Sequence, residues 1–151
     1  MKQNEYTAQF AVYAVLASQI VISADLRTLK STHPECLALL LNKELLAVSQ
    51  DAAANAPRVV FGGNATAKPT AQCFSRKMAN GDVVVALLNR AESSQKLFVG
   101  WAQLGLPPTS RCNVRDMIRG KDIVHSVGEV SVTLGGHEAA AVRISCFKDD
   151  P

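Results

Sequence analysis

The residues with the most distinctive chemistry are four cysteines, three histidines and one tryptophan. Cys36, Cys73, Cys112 and Cys146 are spread along the chain, and none forms the C-x-x-C pair that a zinc or redox centre uses. Their even number permits disulfides without fixing a pairing. His33, His125 and His137 are equally dispersed, so no metal and no cofactor is expected. Asp82, Asp116 and Asp122 read as turn or surface residues rather than catalysts, and His137, after Gly135-Gly136, as a turn residue. Trp101 with Phe98 could offer aromatic faces to a sugar ring, but aromatics make up only 5% of the chain, and a lone Trp at a strand end is expected in packing. Asn64-Ala65-Thr66 is an N-glycosylation sequon in a Gly-rich turn, which suits a secreted or lysosomal parent carrying a signal peptide. No Gly-rich phosphate loop and no Ser-His-Asp arrangement is present.

The scaffold for these residues is one ordinary domain, or one plus part of another, at 151 residues. With 48% hydrophobic and 19% charged residues it can bury a core. The net charge of +3 comes from scattered Lys and Arg, with no basic stripe to neutralise a run of phosphates, so nucleic acid is not an expected partner. The apolar stretch 10–24 resembles the central region of a signal peptide, with a leader as the alternative reading, but its one basic flank, Lys2, is offset by Glu5, it is interrupted by Tyr13, Ser18 and Gln19, and it falls short of the ~20 residues of a membrane span. It is taken as buried structure, and no membrane partner is expected.

Two periodicities divide the chain. Tyr6, Phe10, Tyr13, Ala14 and Ala17 fall on one helical face, and the β-branched run Ile20-Val21-Ile22 follows as a buried strand. A second helix is predicted from Pro34, a residue suited to a first helical turn, with Cys36, Leu37, Leu40 and Leu41 on its apolar face. Helix, apolar strand, helix is the pattern of a parallel α/β unit. Residues 51–57 read as a connector. Beyond them, Asn80-Gly81 between two apolar runs predicts a tight hairpin. Further strands are predicted at 96–101, 112–117, 129–134 and 139–146. The last two alternate apolar and polar residues, as in an antiparallel sandwich with one wet face.

These strings resemble a known family. Ile20-Val21-Ile22-Ser23-Ala24-Asp25-Leu26-Arg27 and Asn42-Lys43-Glu44-Leu45-Leu46-Ala47-Val48-Ser49-Gln50-Asp51 look like the last barrel strand and helix of the glycoside hydrolase family 27 α-galactosidases. Ser75-Arg76-Lys77, Asn89-Arg90, Trp101-Ala102-Gln103-Leu104-Gly105-Leu106 and Val114-Arg115-Asp116-Met117 are similar to that family's C-terminal sandwich. The fold class implied is mainly β with an α/β N-terminal piece: an antiparallel Greek-key β-sandwich preceded by the last helix-strand-helix of a (β/α)8 barrel. Residues 1–50 are then the barrel end, with its seventh helix at 5–18, eighth strand at 20–24 and eighth helix at 34–48; residues 51–151 are the sandwich. The sequence departs from the family pattern at Gln19, His33, residues 49–54 and Glu138. Loss of the turn-forming Pro and Gly from 49–54 leaves the placement of the two parts open.

The resemblance implies retaining hydrolysis of terminal α-galactosides by the complete protein. That chemistry takes two carboxyl groups about 5–5.5 Å apart, which the family carries on barrel strands preceding the segment present here. No catalytic residue is therefore assigned, and the chain alone is expected to be inactive. In the family the residues matching Asp25 and Leu26 line the galactose pocket, at the face where barrels place their sites; the bland alternative for Asp25 is a cap or a pair with Arg27. A different class of reading is a stand-alone sandwich that binds carbohydrate or protein. A barrel strand without neighbours would leave backbone groups unpaired at about 1–3 kcal/mol each when buried. Residues 1–50 are thus expected to pack on the sandwich with the strand edge exposed, to self-associate through that edge, or to be poorly ordered.

Overall fold

The computed structural model describes residues 2–63 and 69–147. The sequon at 64–66 lies outside the described residues.

The first helix, α1 (Gln3–Val15), buries Ala8, Phe10, Ala11, Ala14 and Val15. The buried stripe is rotated from the expected one: Phe10 and Ala14 face inward, but Tyr6 and Tyr13 are exposed. The alanines account for the rotation, because their small side chains let the helix lie close on the sheet over Val84, Ala86 and Ala141. Helix α1 ends in paired hydrogen bonds, Ser18 N–H to the Tyr13 carbonyl at 3.0 Å and Ala17 N–H to the Ala14 carbonyl at 3.2 Å. Ala17 occupies the left-handed position of this Schellman ending, with φ +52°, where glycine is usual.

Residues 20–24 do not form the expected buried strand. They run as unpaired chain, with Ile20 half-buried against the core beneath the helices and residues 21–24 exposed, since a β-branched run becomes a strand only where a neighbour accepts its amides. Three short helices follow, α2 (Leu26–Thr32), α3 (Pro34–Leu40) and α4 (Lys43–Ser49). Pro34 opens α3 as predicted, but the single helix expected over 34–48 is divided at residues 41–42. Asn42 explains the division. Its Oδ1 accepts the Glu44 and Leu45 N–H groups at 3.0 Å as the cap of α4, while its Nδ2 donates to the Met117 carbonyl at 2.9 Å. The cap and the tie to the sandwich together outweigh continuing the helix.

The sandwich holds β1 (Arg58–Phe61), β2 (Ala71–Lys77), β3 (Val83–Asn89), β4 (Gln95–Gly100), β5 (Arg111–Asp116), β6 (Lys121–Val127), β7 (Glu129–Leu134) and β8 (Ala139–Cys146), with the short α5 (Trp101–Leu104) after β4. All pairings are antiparallel, in a larger sheet of order β1-β2-β3-β8-β5-β6 and a smaller one of β4 with β7. The last strand returns to insert between β3 and β5, the long connection of Greek-key winding. Asn80-Gly81 turns the β2–β3 hairpin as predicted, with Gly81 at φ +91° and Lys77 opposite Val83. Strands β1 and β6, absent from the sequence reading, form the two edges of the larger sheet.

Two cores result. Leu87, Val99, Trp101, Val114, Leu134 and Ile144 are among the residues filling the space between the sheets. Phe10, Val15, Leu45, Val48, Met117 and Val84 help join α1 and α4 to the opposite face of the larger sheet. Strand β3 is covered on both faces, which is why Val83-Val84-Val85-Ala86-Leu87-Leu88 is apolar without alternation. Of the arrangements expected for residues 1–50, the structure shows packing on the sandwich. Each large side chain buried in that seam contributes about 1.5–3 kcal/mol.

Candidate functional site

Asp25, expected to line a sugar pocket, sits at the start of α2. Its Oδ1 accepts the Arg27 N–H at 3.0 Å and the Arg27 Nε–H at 3.0 Å, and its Oδ2 accepts from Arg27 Nη2 at 2.9 Å. The guanidinium first, and the backbone N–H second, hold the Asp25 carboxyl below its ordinary value. This is a helix cap locked by an ion pair, so in this conformation the carboxylate is engaged before any sugar arrives. Leu26 is exposed beside it. A groove of about 430 Å³ lies next to this point, between α1 and residues 20–24, lined among others by Tyr6, Phe10, Tyr13, Ile22 and Leu39. Asp25 and Leu26 are not part of its wall.

The remaining candidates are dispersed. Trp101 is fully buried and donates from Nε1 to the Ser110 carbonyl at 3.0 Å, so it is core. Phe98 points the other way, 59% exposed, and the two rings form no joint platform. His137 stands at φ +56° in the turn before β8, its Nε2 3.0 Å from Glu92 Oε1. Asp82 pairs with Arg143 Nε at 2.7 Å, and Asp122 with Arg115 Nη1 at 3.0 Å.

Asp116 is buried rather than on the surface, and it shares a pocket of about 290 Å³ with Glu138. Both carboxylates there are engaged. Asp116 accepts the Ile118 and Arg119 N–H groups at 3.0 Å and the Arg119 guanidinium at 3.3 Å. Glu138 accepts the Gly135 N–H at 2.6 Å and the other end of the same guanidinium at 3.2 Å. A nucleophile and a general acid need free or protonated oxygens; this pair is a braced turn. Among the described residues, no three His, Cys, Asp or Glu side chains gather as a metal site would require.

Cys112 and Cys146 form a disulfide across paired positions of β5 and β8. The sequence left all pairings open, because only the strand register makes these two neighbours. Cys73 remains a buried thiol, pushed up to about 12 by burial.

Two cationic side chains that the sequence reading gave no role join the helices to the sandwich. Arg115 on β5 makes a bidentate pair with Glu44 on α4, both contacts at 2.7 Å, which together with Asp122 raises its already high proton affinity. Arg76 on β2 is buried beneath both helices. Its Nη2 donates to the Val48 carbonyl near the end of α4 and to the Ala14 carbonyl near the end of α1, the latter at 3.4 Å. Its Nε has no partner, and burial lowers its proton affinity, offset in part by Asp51. The sequence signal was a cation inside an otherwise half-buried strand, facing two helix ends whose last carbonyls carry partial negative charge.

Fold and side-chain arrangement thus define an antiparallel β-sandwich with helices α1 and α4 fastened to its larger sheet, and Asp25, Asp116 and Glu138 engaged in caps and ion pairs. The sequence profile of the α-galactosidase C-terminal β-sandwich domain matches residues 68–144, and that of α-galactosidase A matches residues 1–51. The chain belongs to the α-galactosidases of glycoside hydrolase family 27. It is similar to α-galactosidase 3 of Arabidopsis thaliana, 29% identical over 142 residues, covering 91% of this chain and 31% of the relative. The fold is shared with α-galactosidase I from Mortierella vinacea, at a TM-score of 0.83 and 24% identity, covering 95% of this chain and 36% of that one. It is shared also with the α-galactosidase from Saccharomyces cerevisiae solved with raffinose, at a TM-score of 0.76 and 19% identity over 97% of this chain and 44% of that one. The chain spans about a third of the length of the Arabidopsis relative.

Proposed function

We propose that this chain is the C-terminal part of a retaining α-galactosidase that hydrolyses terminal α-galactosides, with the catalytic carboxylate pair outside these residues. The observation that carries the reading is the joint match of residues 1–51 and 68–144 to two successive parts of one family, in a chain about a third as long as that relative. The engagement of Asp116, Glu138 and Asp25 in caps and ion pairs supports placing the pair elsewhere. On this reading residues 1–50 close the barrel and residues 51–151 form the sandwich that braces it through Arg76 and Arg115. Asp25 and Leu26 enter the sugar pocket only if the complete barrel releases Asp25 from Arg27. The disulfide is consistent with a secreted or lysosomal compartment.

A second reading, a sandwich that binds saccharide without turnover, is favoured by Phe98. It is exposed on β4 directly opposite Ser131, with Lys96 opposite Thr133 alongside. The mass of the native gene product, detected with an antibody against the sandwich, separates the two. A product larger than 16.1 kDa by most of a barrel, about 250 residues in a complete one, is expected; a product of 16.1 kDa overturns the hydrolase reading.

A further inference from the structure

A cavity of about 360 Å³ opens at the end of the sandwich where β1, the β2–β3 hairpin and α5 meet, with Arg58, Ser75, Lys77, Val83, Leu104 and Leu106 in its wall. Its volume lies in the range of small-molecule sites, about 300–1,000 Å³. Alternation along β2 fixes the side on which it lies. Phe74 packs against the core beneath the helices, and Arg76 donates to carbonyls near the ends of α1 and α4. Cys73 faces the space between the sheets, and Ser75 and Lys77 share its face. The cavity is therefore on the side of the larger sheet away from α1 and α4, so a barrel built onto those helices lies across the sheet from it.

Arg58 and Lys77 bring positive charge to this cavity, and among the described residues no carboxylate lines it. Arg58 stands directly opposite Ser75. Its Nε donates to Ser75 Oγ at 3.3 Å and its Nη2 to the Gln103 carbonyl. Both partners are neutral, and the other N–H groups of the guanidinium have no partner among the described residues. Lys77, two residues along the same face, has no ion-pair partner among the described residues either. Diagonal neighbours on a sheet face lie about 7–8 Å apart, so the two cations repel across the mouth with nothing of opposite sign between them. Ser75 is 2% exposed, and its hydroxyl proton finds no acceptor among the described residues, although a buried donor is costly to leave unpaired.

We propose that this cavity binds a sugar-sized oxyanion, an acid sugar or a sugar phosphate. Both bring what the site lacks, charged oxygen acceptors on a small ring. The open N–H groups of Arg58, the Ser75 hydroxyl and the Lys77 ammonium donate to the oxyanion, and Val83, Leu104 and Leu106 receive the C–H face of the ring. The inference stands on residues of the sandwich alone and is independent of the galactoside reading.

The test is calorimetric titration and amide chemical-shift mapping of the 151-residue chain with glucuronate and with glucose 6-phosphate, glucose and inorganic phosphate serving as controls. The gluco configuration keeps these probes distinct from terminal galactosides. Binding of either anionic sugar on the order of 1 mM or tighter, with shifts at 56–58, 75–77 and 104–106 and neither control matching it, is the expected result. The tighter of the two identifies carboxylate or phosphate as the preferred anion. Lys77→Gln, at an exposed position outside both cores, is expected to weaken binding about tenfold. Lys77→Glu is expected to abolish it and to raise the thermal midpoint, because a carboxylate then stands beside Arg58. No binding of either anionic sugar overturns the proposal, as does equal binding of glucose or of inorganic phosphate, shifts confined to other residues, or indifference to Lys77→Gln. Binding by this chain that the complete native product lacks also overturns it.

Discussion

Arg76 offers the sharpest test of how the helices are held. Its guanidinium donates to carbonyls near the ends of α1 and α4 from a position 2% exposed, and its Nε is unpaired. Hydrogen bonds to a charged donor are worth about 1.5–3 kcal/mol each, while an unsatisfied buried donor costs about 1–3 kcal/mol. Arg76→Ala removes both bonds and leaves a cavity, so a loss of about 3–5 kcal/mol is expected, the range for breaking one side of a buried charged contact. Arg76→Met loses the same bonds but refills the space and relieves the buried charge, so it is expected to recover about 2 kcal/mol relative to alanine. Urea unfolding should be followed by Trp101 fluorescence, which reports the core between the sheets, and by far-ultraviolet circular dichroism, which weights the helices. In Arg76→Ala the dichroism transition is expected at lower urea than the fluorescence transition, because the helices detach before the sandwich melts. Coincident transitions with a loss under about 0.5 kcal/mol would refute the argument.

Four further outcomes follow from the same structure. Ala17→Gly is expected to raise stability by about 1 kcal/mol in chemical denaturation, since alanine at φ +52° carries the left-handed penalty that glycine avoids; a loss of stability contradicts this. Native protein at neutral pH is expected to react with a maleimide at Cys36 and not at Cys73. Because the folded Cys73 thiol ionises at about 12 and the unfolded one at 9.0, stability is expected to fall as pH rises between these values, and a flat profile there refutes the assignment. Asp25 is held below 3.8, so its cap on α2 is fully present above that value and is lost as pH falls through the lower folded one. A carboxyl titration midpoint at or above 3.8 contradicts this.

Much of the sandwich was legible where local pattern and tertiary environment agree. Asn80-Gly81 encodes its own turn, and Val130, Val132 and Leu134 alternate with polar residues. The same reasoning failed where a partner decides the outcome. Residues 20–24 have strand-forming side chains, yet only a neighbouring strand could make them one. Asn42 divides a helix that periodicity alone would continue, because its amide also finds Met117 on the sandwich. The edge strands β1 and β6 carry weak apolar signals, Lys121 and Asp122 opening the latter, and exist by pairing with β2 and β5. At the candidate site, Asp25 was legible as a carboxylate at the end of the expected strand, with a cap or a pair with Arg27 as the alternative to a pocket role. The pair is present, but the element it caps is α2, a helix the sequence reading did not place. Neither the Cys112–Cys146 bond nor the place of Arg76 beneath two helix ends could be read without the strand register.

Hydrolysis of an aryl α-galactoside, measured side by side for this chain and for the complete native product, tests the central claim most directly. The account predicts turnover with retention by the complete product and none above background by the chain alone, with Asp25→Asn making no difference to the latter. Turnover by the chain alone that Asp25→Asn abolishes, or a complete product inert toward α-galactosides, would contradict it.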